Sequence, residues 1–157
     1  MKGKPFVVIA LITVVVFVIG FALAVKKPSE PGPFDGMAAT IYLSPTCGCC
    51  GNYVAYMKGE GFDVETIYNS DTASVKSKFG IPSNLQACHT TVIGDYIAEG
   101  HIPVEGIEKM LDEKPSIRGI ALPGMPAASP GMPGSKDFPF DVYELDDSVS
   151  PRIFVTI

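Results

Sequence analysis

The chain has no tryptophan, two histidines and four cysteines among its 157 residues. Basic residues are also scarce: twelve Lys+Arg stand against 17 Asp+Glu, for a formal net charge of -5 and a pI near 4.9. A phosphate backbone is held by counterion release onto clustered Lys and Arg, and so acidic a chain offers no such field. Nucleic acid is therefore excluded as a partner. The acids are scattered along surface-type positions, so no pair of carboxylates is placed for general acid–base work. A glycine-rich, phosphate-cradling loop is missing too. The length allows one domain, or one domain with an appendage.

Hydrophobic residues make up 46% of the chain and the mean hydropathy is +0.27, much of it from one segment. Pro5 to Val25 is a run of 21 residues without a charge. At about 1.5 Å per residue a helix of that length crosses roughly 30 Å of hydrocarbon. Lys2 and Lys4 precede it as in a secretory signal, and Ala22-Leu23-Ala24 has the small-x-small form of a cleavage site. The run exceeds the usual apolar core of a cleavable signal and is followed by Lys26 and Lys27. The preferred reading is an uncleaved anchor over residues 1–27, with cleavage after Ala24 as the alternative. In either case the rest of the chain is expected to be exported. Removing residues 1–25 takes away only Lys2 and Lys4, so the exported part carries ten Lys+Arg against 17 Asp+Glu, a formal charge of -7. Residues 28–37, with Pro28, Pro31 and Pro33, read as a linker.

Residues 38–157 read as one domain. Ala39 to Leu43 forms a short apolar strand, and Cys47-Gly48-Cys49-Cys50 leads into a helix with Tyr53 and Met57 on one face. Phe62 to Tyr68 alternates at period 2; a helix capped by Asp71 follows and ends at Gly80. Thr90 to Ile93 and Tyr96 to Glu99 flank the two-residue turn Gly94-Asp95, and Pro103 opens a last amphipathic helix. This β-α-β-α-β-β-α order, with cysteines after the first strand, predicts an α/β thioredoxin/glutaredoxin-like fold. Pro123 to Pro139 has eight Pro or Gly in 17 residues and two Gly-Met-Pro copies, so it is expected to be a patterned loop. Phe140 to Leu145 and Arg152 to Ile157 are expected to form a terminal hairpin beside the core.

The chemistry centres on Cys47, Cys49, Cys50 and Cys88. Three thiols within four residues make a poor structural framework, because pairing neighbours closes no long loop. Cys47 and Cys50 have the C-x-x-C spacing at a helix start, where amides and dipole favour thiolate. They are the candidate catalytic pair of a thiol-disulfide oxidoreductase. Cys49 departs from that simple pair, since exchange needs only one attacking and one resolving thiol. Cys88 stands before the third predicted strand, where thioredoxin-like proteins usually place a proline, and element order brings it to face the other three. Four clustered thiolates suit a soft metal, and for an exported protein copper as Cu(I) is the first choice. Zinc on Cys47, Cys50, Cys88 and His89 is second, because it leaves Cys49 unused. His89 reads equally as ligand or loop-orienting residue, His101 as structural, and Met125 and Met132 as packing anchors outside the site.

Tyr42-Leu43-Ser44-Pro45-Thr46-Cys47-Gly48-Cys49-Cys50, Ala87-Cys88-His89-Thr90, Glu99-Gly100-His101-Ile102-Pro103 and Ala121 to Pro126, with Ser129-Pro130-Gly131-Met132, together resemble the CopG-like family of small metal-binding proteins. The resemblance covers about residues 39–145. It implies an exported thioredoxin-like protein associated with copper and silver resistance, with copper held by Cys47, Cys49, Cys50 and Cys88. It also implies other periplasmic copper-handling proteins as partners. The apparent anchor departs from the plain signal peptide of that family.

Overall fold

The computed structural model describes residues 32–146 and 150–157. The expected anchor at 5–25, and most of the turn after Asp146, lie outside the described residues; among those described, no helix is long and apolar enough to cross a membrane. The elements run β1 (Ala38–Leu43), α1 (Gly48–Gly59), β2 (Asp63–Tyr68), α2 (Thr72–Lys78), a 3-10 turn at Ser83–Leu85, β3 (His89–Ile93), β4 (Tyr96–Glu99), α3 (Val104–Glu113), β5 (Gly119–Ala121), β6 (Asp141–Leu145) and β7 (Ile153–Thr156).

All seven strands join one sheet in the order β2-β1-β3-β4-β5-β6-β7. The β1–β2 and β4–β5 pairs are parallel, as helical crossovers require, and the other pairs are antiparallel. Period-2 alternation sends side chains to two cores. Ala39, Ile41, Leu43, Ala98 and Ile120 face α1 and α3, whose Tyr53, Met57, Ile107 and Met110 are fully buried. Their neighbours Ile97 and Ala121 face the other way, with Ile81, Leu85 and Leu145, while Tyr42 meets the Phe79 ring at 5.5 Å.

Several predicted signals act as expected. Asp71 Oδ1 accepts from the Ser74 amide at 3.0 Å and caps α2, and the Ile93–Tyr96 pair closes the β3–β4 hairpin over Gly94-Asp95. Other features differ. Residues 32–37, read as linker from their proline and glycine, form a turn in which Phe34 is buried and stacks on Phe62 at 4.6 Å. The burial of that ring outweighs the local composition. The terminal hairpin does not merely lie beside the core: it extends the sheet through β5, a three-residue strand too short to show periodicity in the sequence.

Candidate metal centre

After β1, the Ser44-Pro45-Thr46 turn brings the Cys47 amide onto the Ser44 carbonyl at 3.1 Å. Cys47 is the N-cap of α1 and makes no side-chain capping bond, so its thiol does not occupy the first-turn amides. No acidic residue occupies that first turn. Helical spacing sends Cys50 fully inward, with Tyr53 and Met57 one and two turns on, and leaves Cys47 and Cys49 half-buried. Cys47 and Cys50 are joined in a disulfide, their Cα atoms 5.5 Å apart, and Cys49 Sγ lies 3.6 Å from Cys47 Sγ.

The register of β1 with β3 explains the fourth sulfur. Leu43 pairs with His89, so the chain enters β3 at Cys88 beside the point where β1 leaves toward Cys47. The ligand atoms of Cys47, Cys49, Cys50 and Cys88 consequently lie within 4.8 Å of one another. Two imidazoles extend the cluster. Cys88 Sγ is 3.3 Å from His89 Nδ1 and 3.0 Å from His101 Nε2, and Cys50, Cys88, His89 and His101 form a second group within 4.8 Å. His101 Nδ1 lies 2.6 Å from the Pro130 carbonyl, which can only accept. The proton is thereby assigned to Nδ1, and the Nε2 lone pair faces Cys88, as in ligating histidines oriented by a second partner. Tyr53 packs its ring 4.5 Å from His89 and 5.3 Å from His101, while its hydroxyl donates to the Ile102 carbonyl.

Burial sets the protonation of this pocket. Desolvation, with the facing Cys49 as the next cause, pushes the Cys88 thiol up to about 12. Desolvation, followed by the charges of His101 and Lys76, lowers His89 to about 3. His101 is also lowered by burial, against the opposing effect of its bond to Pro130. At neutral pH the pocket thus holds a neutral thiol and two neutral imidazoles, all able to bind a cation by displacing at most the thiol proton.

Two solved structures, of copper resistance protein CopG in form 1 and form 2, are each 33% identical to this chain and cover 78% of it. The chain covers 98% and 99% of those proteins, with TM-scores of 0.70 and 0.71. This chain belongs to the CopG family. A family model described as a protein of unknown function, DUF411, matches residues 85–132, a stretch that holds Cys88, His89 and His101 but not Cys47 to Cys50. No curated protein sequence matches the chain.

In this CopG-family chain the Gly-Met-Pro loop is docked rather than loose. Asn52 Nδ2 donates to the Gly131 carbonyl at 3.2 Å, and a Cβ on Gly131, at φ +81, would stand 2.7 Å from the Tyr53 amide nitrogen. Only glycine lets the loop lie so close to α1 and offer the Pro130 carbonyl to His101. Met125 is exposed, and Met132 is half-buried with its amide on the Ser129 carbonyl. His101, expected to be structural, instead joins the cluster. Its signal was available only in combination, as a histidine two residues after a strand that pairs with the Cys88 strand. A cavity of about 280 Å³ is lined by Leu43, Pro45, Cys47, Val54, Tyr68 and others.

Proposed function

We propose that this protein is a thioredoxin-like copper protein that binds Cu(I) through Cys47, Cys49, Cys50 and Cys88 in copper resistance. The convergence of four sulfurs within 4.8 Å carries this reading, because soft thiolates select Cu(I) over harder ions. The name of the CopG relatives supports it. The strand order β2-β1-β3-β4, with the cysteine motif at the start of α1, supports the thioredoxin-like plan. Residues 5–25 tether the domain to the inner membrane and place it in the periplasm, where other copper-handling proteins deliver or remove the ion.

The Cys47–Cys50 disulfide favours a coupling of copper to thiol redox. Forming that bond from two thiols releases two electrons and two protons, which reduces two Cu(II) to two Cu(I). An external dithiol reopens it by exchange, giving up two electrons and two protons and leaving as a disulfide, which restores the four-thiol set. Anaerobic Cu(I) titration of the reduced full chain, with elemental analysis, tests the reading against a variant with all four cysteines changed to Ser. Tight binding is expected in the wild type and absent in the variant; a wild type without tight binding overturns it.

The same disulfide, with the cavity beside Cys47, supports a second reading: a thiol-disulfide oxidoreductase acting on exported proteins through Cys47 and Cys50. Insulin reduction that is indifferent to copper chelators would favour this alternative. Zinc in place of copper would appear in the elemental analysis.

A further inference from the structure

Glu99 ends β4 with a fully buried carboxylate. Its Oε1 accepts from Lys76 Nζ at 2.5 Å and from the Ala87 amide at 2.7 Å, and its Oε2 accepts from Thr90 Oγ1 at 2.6 Å. Lys76, on α2, is only 5% exposed, so solvent does little to screen the pair. Ala87 and Thr90 stand on either side of Cys88-His89. Thr90 also faces Glu99 in the β3–β4 register, which puts their side chains on one face of the sheet. One carboxylate thus grips the chain just before and just after the two donor residues.

The next residues continue the grip. The Gly100 amide donates to the His89 carbonyl at 2.9 Å, and a Cβ there, at φ +86, would stand 2.6 Å from Ala87 Cβ and 2.7 Å from the Leu122 carbonyl oxygen. His101 then reaches Cys88 Sγ. Gln86 to Cys88 lie between the 3-10 turn and β3, so no ladder fixes them. A buried ion pair is a weak source of stability, because desolvation of both charges offsets their attraction; what this pair adds beside the cluster is the two hydrogen bonds that Glu99 accepts from Ala87 and Thr90.

We propose that Glu99, paired with Lys76, is the positioning residue of the metal centre: through Ala87 and Thr90 it holds Cys88 where the four sulfurs and His101 converge. This rests on the metal-binding reading of the cluster, yet Cys88 placement can be read without metal. The full chain is compared with Glu99→Gln, Thr90→Val, Glu99→Leu and Lys76→Met/Glu99→Leu. Circular dichroism and melting report folding. Cys88 alkylation, with the other three cysteines changed to Ser, reports its placement. The emission of the Cu(I)-loaded chain with all cysteines present reports the cluster.

Cys88 alkylation is expected to quicken about tenfold in Glu99→Gln and about threefold in Thr90→Val, since the loop opens more readily. Emission moves toward that of Cys88→Ser. The apolar double variant recovers melting temperature relative to Glu99→Leu but neither site signal, which separates positioning from stability. A folded Glu99→Gln with wild-type alkylation overturns the proposal. If that variant does not fold, wild-type alkylation in Thr90→Val overturns it. Quickened alkylation in a protein that binds no Cu(I) supports the positioning role while overturning the copper reading.

Discussion

Cys88 and His89 are adjacent in the chain and perturbed in opposite senses by the same burial, and each gives a measurable pH dependence. The Cys88 thiol, pushed up to about 12, stays protonated across the neutral range, so binding metal as thiolate must release its proton. Between about pH 6 and 8 the logarithm of the Cu(I) affinity should rise with pH by about one unit per pH unit more in wild type than in Cys88→Ser. Competition with a Cu(I) chelator at several pH values measures that difference. For His89 the folded value of about 3 lies below the unfolded 6.5, so between those values the unfolded chain binds the extra proton. Stability of the metal-free protein is intact above 6.5 and lost as pH falls toward 3. The loss attributable to His89 reaches about 2 kcal/mol by pH 5. Denaturant unfolding should show it in wild type, and His89→Gln should remove that part of the slope.

At the scale of elements, the start of α1 and the ends of β3 and β4 carry the clustered side chains, the 123–139 loop braces His101, and the N-terminus of α2 is held by local chemistry. Asp71→Ala removes the α2 cap and should cost about 1 kcal/mol, read as a melting temperature lowered by about 3 to 5 °C. Metal stoichiometry should not change, because no donor sits on α2. Gly131→Ala acts on the other kind of contact. Its Cβ would meet the Tyr53 amide and the backbone of Asn52, so the loop must withdraw from α1 and the Pro130 carbonyl from His101. The expected outcome is a changed His101 imidazole resonance by NMR together with a loss of stability. An unchanged His101 signal would show that the loop does not hold that ring. These elements also mark how far pattern reading reaches. Strand alternation, the Asp71 cap, the Gly94-Asp95 turn and the glycine stops are local signals, and each corresponds to the structure because neighbouring residues alone determine them. β5 was illegible, since three residues carry no period, and Phe34 was hidden because proline and glycine around it describe the chain path and not what the ring touches.

For the molecule as a whole, the redox state of one bond decides how many of the four clustered sulfurs are free, and with it the proposed donor set. With Cys47 and Cys50 joined, two of the four sulfurs are unavailable as thiolates. The oxidised full chain should therefore bind Cu(I) far more weakly than the reduced chain, by at least about tenfold in chelator competition. Equal affinities in the two states would place the copper away from Cys47 and Cys50.

Composition and motif spacing by themselves determined that the chain is acidic, that its domain alternates strands and helices, and that its thiols are clustered. Those properties depend on residues close in sequence or on totals over the chain. Tertiary structure alone decided that β5, β6 and β7 continue the sheet, that His101 joins Cys88, and that Glu99 and Lys76 meet inside the protein. Each of these depends on strand register and on packing between residues far apart in the chain: Leu43 opposite His89, Thr90 opposite Glu99, and a loop carbonyl laid against a histidine 29 residues away. No local period encodes such pairings; they follow from burying the two faces of one sheet at once.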